Sequence, residues 1–195
     1  LVARFGQRRL LLFSVAAFTL STLACGLAGS LEMLVFFRVL QGLSGAPLAP
    51  TAQAIVLASY PQSKHGTATA IFGIGVVIGP LIAPTIGGYL SEEYSWRWVF
   101  FMIVPFGVAS FLGCWAFVVD GIRGARIRLD WTGFIALSVA IACFQLLLDR
   151  GERNSWLEST EIVLEICAAA LCFYIFVVHT FTTQKPFLNP ALFLD

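Results

Sequence analysis

Three observations predict an all-α membrane protein with six transmembrane helices. The 195 residues are 58% hydrophobic and only 12% charged, against about 25% charged in a soluble domain. The mean hydropathy is +0.86. Six apolar windows approach or exceed the roughly 20 residues that a helix needs to cross a bilayer: 10–28, 33–59, 66–90, 98–119, 131–148 and 162–183. Nothing alternates with period two over barrel-length segments, so transmembrane strands are not expected. The net charge of +1 gives no electrostatic footprint for a nucleic-acid partner. The chain begins at Leu1 with no signal-peptide layout before the first window, and it reads as a segment of a longer protein.

The first window carries no Asp, Glu, Lys or Arg. The second does: in FFRVLQGLSGAPLAP, Arg38, Gln41, Gly42 and Gly45 fall at i, i+3, i+4 and i+7, on one helix face. Arginine at the bilayer centre costs about 2.5–3.5 kcal/mol on insertion scales. Glu32 lies about 120° round the same helix, a poor position for a partner. Two readings stay open. Arg38 snorkels outward, or it faces a polar path with Gln41 and Gln53 and finds its counter-ion on another helix. Gly42 and Gly45 are small enough for helix packing on that face.

The third window is the least expected. GIGVVIGPLIAPTIGGYL, residues 73–90, has no charge but five glycines and two prolines. These are the two poorest helix formers, by about 1 and 3 kcal/mol against alanine. Gly75, Gly79, Ala83 and Gly87 recur every four residues and form a strip about 18 Å long. Such a strip lets two membrane helices approach backbone to backbone. Pro80 and Pro84 each remove a backbone hydrogen bond and bend the helix; Gly88 continues the small face beside them. A static packing seam and a seal that opens and closes both fit this pattern.

The fourth and fifth windows are free of charge, and the sixth contains Glu165. Glu165 reads either as an interfacial acid or as part of a proton entry route. One set of alternate loops carries Arg4, Arg8, Arg9, Lys64, Arg123, Arg126, Arg128 and Lys185; the other carries only Arg97, Arg150 and Arg153 as basic residues. The positive-inside rule puts the first set, and with it both ends of the chain, in the cytoplasm. Trp96, Trp98, Trp131 and Trp156 stand at window ends, where interfacial anchoring accounts for them. The basic stretch 120–130 is a connector whose arginines set topology.

No catalytic constellation stands out. His65 and His179 are far apart. Cys25, Cys114, Cys143, Cys167 and Cys172 lie in apolar runs without metal-ligand spacing, and read as small packing residues. No cofactor and no metal are expected.

These residues resemble the major facilitator superfamily, and within it the fourteen-helix drug:proton antiporters of the EmrB/QacA type. LVARFGQRRL is similar to the loop between family helices two and three, with Arg4, Gly6, Arg8 and Arg9 on its basic and glycine positions; the resemblance implies a cytoplasmic gating loop. Ala3 replaces a frequent aspartate, so no gating ion pair through that aspartate is expected. RVLQG, residues 38–42, resembles the fourth-helix motif, whose arginine implies a role in proton coupling. The 73–90 stretch resembles the fifth-helix antiporter motif, with Gly79, Pro80, Gly87 and Gly88 at its core and Ala83 in place of a frequent glycine. WRWVFFMIVP, residues 96–105, and LDRGERNSWLES, residues 148–159, are also similar to EmrB-like sequences, with Ile103 in place of the usual asparagine.

The resemblance implies an incomplete bundle of this type. Residues 1–119 would be helices three to six of the N-terminal half, 131–183 two inserted helices, and 184–195 a cytoplasmic connector. It implies a multi-pass protein of a bacterial inner membrane that exports hydrophobic or amphipathic compounds in exchange for protons. A periplasmic adaptor and an outer-membrane channel would be its partners. An uptake permease of the same superfamily, or a scaffold or enzyme without transport, are the alternatives. An enzyme would need a polar cluster at membrane depth, and the windows offer little beyond Arg38, Glu165 and a few hydroxyls and amides.

Overall fold

The computed structural model describes residues 6–118, 130–153 and 159–183. Among these residues there are helices and no strand. Six segments are long and apolar enough to cross a membrane: Gln7–Gly26, Leu31–Ser59, Gln62–Glu93, Arg97–Phe117, Trp131–Arg150 and Thr160–Thr182. The chain divides into two compact units, Leu1–Arg126 and Ile127–Asp195. The connector 120–129, the segment 184–195 and Trp156 lie outside the described residues.

The first unit holds α1 (Gln7–Gly26), α2 (Leu31–Gly45), α3 (Leu48–Ser59), α4 (His65–Glu93) and α5 (Arg97–Phe117). Gly6 precedes α1 with φ 86°, a left-handed conformation that a residue without Cβ adopts at little cost; its carbonyl accepts from Leu10 N at 3.2 Å. Ser30 caps α2 by accepting from Met33 N at 3.3 Å. Glu32 in that first turn complements the positive end of the helix dipole.

The second apolar window is not one helix. Ala46 and Pro47 form a turn between α2 and α3. Pro47 and Pro50 have no N–H to give to the carbonyls four residues back, and their rings crowd those carbonyls. The ladder therefore restarts at Pro47, whose carbonyl accepts from Thr51 N at 3.1 Å. Pro50 is tolerated because the first turn of a helix has no internal donors to lose.

α4 runs 29 residues through both Pro80 and Pro84. The carbonyls of Val76 and Pro80 cannot receive the usual amide bond from four residues on, but the helix continues. It ends where Tyr94 N and Ser95 N both donate to the Leu90 carbonyl, at 3.2 and 3.0 Å.

The core of this unit runs along α1, where Leu10, Leu11, Ser14, Val15, Thr19, Thr22 and Cys25 are buried. Two helices cover α1 in antiparallel register. On the α5 side, a Cβ at Gly26 would lie 2.6 Å from the Phe101 ring, and one at Gly107 would collide with Thr19. On the α2 side, a Cβ at Gly45 would lie 3.1 Å from the Phe18 ring. Small residues set the helix spacing here, as in membrane interfaces generally. α4 by contrast buries only Ala68.

The second unit is an antiparallel pair, α6 (Trp131–Arg150) and α7 (Thr160–Thr182). Gly133, Ala136 and Ala140 of α6 are buried, as are Ile162 and Phe176 of α7. Polar contacts close both ends. Asp130 caps α6 by accepting from Gly133 N at 3.1 Å, and its carboxylate oxygens lie 3.0 and 3.1 Å from His179 Nε2. A carboxylate only accepts, so that ring nitrogen is the donor. At the other end Arg150 Nη1 is 3.8 Å from Glu165 Oε1.

Candidate functional site

Arg38 stands in the third turn of α2, about 10 Å along the helix from Leu31. Its Nη1 donates to Gln41 Oε1 at 3.1 Å. Gln41 is buried, 6% exposed, and its Nε2 donates to Thr22 Oγ1 on α1 at 2.7 Å. The Thr22 hydroxyl, fully buried, donates in turn to the Phe18 carbonyl at 2.7 Å. The directions are forced by chemistry: guanidinium has no acceptor, so Gln41 must turn its oxygen to it and its NH₂ to Thr22.

The other face of Arg38 lies over the Phe100 ring of α5, 4.7 Å from the centroid, within the range of a cation–π contact. Phe100 is 6% exposed and meets Trp96 edge-on at 6.0 Å. Arg38 thus sits where α1, α2 and α5 meet. The side chain is exposed on its remaining side. Among the described residues no carboxylate pairs with it.

The arginine and Gln41 of the RVLQG stretch are therefore brought together. Gln53 is not joined to them: it is exposed, on α3 beyond the Pro47 turn. Gly45 packs against Phe18, whereas nothing lies within 4 Å of the Cβ position of Gly42.

The glycine strip occupies the middle and end of α4. Gly75, Gly79 and Gly88 have nothing within 4 Å of a built Cβ, and at Gly87 the first atom is Val99 Cγ1 at 3.9 Å. Pro80, Ala83 and Pro84 are exposed as well. Among the described residues of its own unit the strip faces open space.

In the basic N-terminal segment Arg8 Nη2 donates to the Trp115 carbonyl at 2.7 Å. This cation serves one of the carbonyls that end α5, where the helix dipole is negative. Arg9 is exposed, Gly6 is buried at the helix start, and Arg4 lies outside the described residues. At the opposite end of the unit Arg97 Nη2 donates to the Ala28 carbonyl at 3.0 Å and lies 5.3 Å over the Trp96 ring. The two arginines pin α5 to the two ends of α1.

Sequence reasoning missed Thr22, Phe100, and the Gly26–Phe101 and Thr19–Gly107 contacts. A signal was present in α1: Thr19, Thr22 and Gly26 fall at i, i+3 and i+7, a small and polar line on one face. Glu165 is pulled toward Arg150, and one of its oxygens is buried without a hydrogen bond.

Comparison with known proteins agrees with this architecture. The family model for the Major Facilitator Superfamily matches residues 1–192. The multidrug export protein EmrB of Escherichia coli (strain K12) is 36% identical over 198 residues, which cover 99% of this chain and 38% of that protein. The fatty acid resistance protein FarB of Neisseria gonorrhoeae is 33% identical, over 100% of this chain and 39% of its own length. The colistin resistance protein EmrB of Acinetobacter baumannii is 30% identical, over 90% and 35%. The chain thus spans under two fifths of the length of these relatives. Six helical segments of spanning length and a family match over nearly every residue lead to one conclusion: the chain is a multi-pass membrane protein that belongs to the Major Facilitator Superfamily.

Proposed function

We propose that the protein is a proton-driven exporter of hydrophobic or amphipathic compounds, working in the inner membrane by alternating access. The observation that carries this reading is the setting of Arg38. A cation is fixed by Gln41 and Phe100 at a three-helix junction, in a chain otherwise almost without charge in its spans. A residue this costly at membrane depth marks a functional path.

Arg38 acts on a carboxylate of a neighbouring helix by lowering its pKa, as an adjacent cation does. Protonation of that carboxylate must favour one conformation over the other by differential affinity, and only then is transport coupled. Gly75, Gly79, Ala83 and Gly87, with the bends at Pro80 and Pro84, form a seal that closes against another helix of the full-length protein. Arg4, Gly6, Arg8 and Arg9 form the cytoplasmic gate. The names of the relatives, which speak of multidrug export and of fatty acid and colistin resistance, support amphipathic cargo. A periplasmic adaptor and an outer-membrane channel complete the export route.

The test is transport by the full-length protein in inverted vesicles, with a panel of lipophilic fluorescent dyes and medium-chain fatty acids under an imposed pH gradient. Accumulation driven by the gradient, and lost with a protonophore, is expected. Accumulation of none of these compounds, or accumulation indifferent to the protonophore, would overturn the reading.

A further inference from the structure

We infer that Thr22 is a positioning residue for Arg38, acting through Gln41 to fix where the positive charge stands. This rests on the proposed coupling role of Arg38 and adds a residue that lies on a different helix.

The geometry leaves little freedom. Thr22 Oγ1 receives the Gln41 amide at 2.7 Å and passes its own proton to the Phe18 carbonyl at 2.7 Å. A threonine hydroxyl has one proton to give, so with Phe18 as its acceptor it can only receive from Gln41. Gln41 is then locked with its oxygen toward Arg38, and that oxygen takes an Arg38 N–H at 3.1 Å. Without the hydroxyl, the buried Gln41 NH₂ loses its partner, and leaving a buried donor unpaired is costly. The amide then turns or moves to find another acceptor, and its oxygen no longer holds Arg38. The Phe100 ring at 4.7 Å limits the guanidinium from the opposite face but does not fix its rotation.

Among the described residues the other titratable or charged groups around this cation are few. Cys25 of α1 is within electrostatic reach of Arg38. Glu32 is on its own helix, about 120° round. Arg97 stands one turn before Phe100 and is engaged with the Ala28 carbonyl. The pH dependence of transport therefore reports how Arg38 meets the coupling carboxylate.

The experiment uses the full-length protein in vesicles, with the dye that the wild type exports fastest, assayed across pH at matched protein levels. Thr22→Val keeps the side-chain shape and removes the hydroxyl. A displaced cation lowers the carboxylate's pKa less, so the coupling limb should move to higher pH by about one unit, the lower end of what a nearby charge does. Thr22→Ser keeps the hydroxyl and should keep the wild-type limb. Gln41→Leu should shift the limb in the same direction, and in that background Thr22→Val should add no further shift, because both act through one chain of hydrogen bonds.

A wild-type limb in Thr22→Val would overturn the inference, and so would efflux lowered equally at every pH, since that is what a merely structural hydroxyl would give. If Thr22→Val does not reach the membrane, Thr22→Ala is read by the same criteria. Arg38→Ala separates the two levels. Wild-type coupling in that variant removes the coupling role of Arg38 itself, whereas an uncoupled Arg38→Ala beside a wild-type Thr22→Val removes only the positioning role of Thr22.

Discussion

The guanidinium of Arg38 lies 4.7 Å from the centroid of the Phe100 ring, so the one lysine or arginine within the six apolar windows is held by an aromatic face on α5 and by an amide on its own helix, α2. Both contacts favour the planar, delocalised cation that arginine supplies and lysine does not.

Arg38→Ala is therefore expected to abolish proton-coupled efflux while leaving membrane insertion intact, because removing the charge also removes its insertion cost. Arg38→Lys should restore transport only in part. Phe100→Leu keeps the apolar bulk and loses the ring face. A cation–π contact contributes about 0.5–2 kcal/mol, which corresponds to a change of about 2- to 30-fold in an equilibrium it biases. Drug-driven proton release, measured with a pH dye at matched expression, checks all three. Wild-type coupling in Arg38→Ala would mean that Arg38 merely snorkels.

The topology is expected to place Lys64 in the cytoplasm and Glu93 and Glu152 outside, from the asymmetry of basic residues between alternate loops. Each of these three side chains is exposed. Single cysteines at the three positions, in a background without the five native cysteines, should divide cleanly. Glu93→Cys and Glu152→Cys should react with an impermeant thiol reagent in intact cells, and Lys64→Cys only after the membrane is opened. The reverse pattern would invert the orientation.

The α1–α5 seam should be intolerant of even one methyl group. A Cβ at Gly107 would collide with Thr19, whose hydroxyl is committed to the Val15 carbonyl at 2.8 Å. Overpacking of this kind costs about 1–3 kcal/mol. Gly107→Ala should lower the midpoint of thermal unfolding in detergent by several degrees, and Gly26→Ala should do the same through the Phe101 ring at 2.6 Å. Gly42→Ala, inside α2 with nothing within 4 Å, is the control and should not lower the midpoint, since helix propensity alone favours the alanine. Equal midpoints for all three would show that the seam relaxes.

How much of this was legible beforehand differs by the range of the interaction. The six spans follow from apolar run length, a local property, and the structure places helices over all six. The Arg38–Gln41 contact follows from i, i+3 spacing, also local. The Thr22–Gln41 bond joins residues 19 apart, and the Arg38–Phe100 contact joins α2 to α5. Their register is set by how whole helices pack, which periodicity within one helix does not encode. The turn at Pro47 was in principle readable, because Pro47 and Pro50 together remove two rungs of one ladder. A long apolar window masked it.

The last expectation concerns the glycine strip of α4. Gly75 and Gly79 have open space at the Cβ position, and Gly87 has only a distant Val99 contact at 3.9 Å. An α4 that merely needed to be a stable helix would gain about 1 kcal/mol for each glycine replaced by alanine, so the strip is unexplained by the described residues of its own unit. The proposed seal against another helix of the full-length protein would account for it, since small residues at this spacing permit backbone approach. Gly79→Leu should hold the partner helix away, and Gly79→Ala should be milder because it stays small. Pro80→Ala restores the amide donor to the Val76 carbonyl and should straighten the helix, weakening closure without adding bulk. Dye efflux and passive proton leak in vesicles, compared at matched protein levels, distinguish the cases. Gly79→Leu should leak protons and lose coupling before it loses stability. If Gly79→Leu transports normally with no added leak, the strip is not a seal and its glycines need another cause.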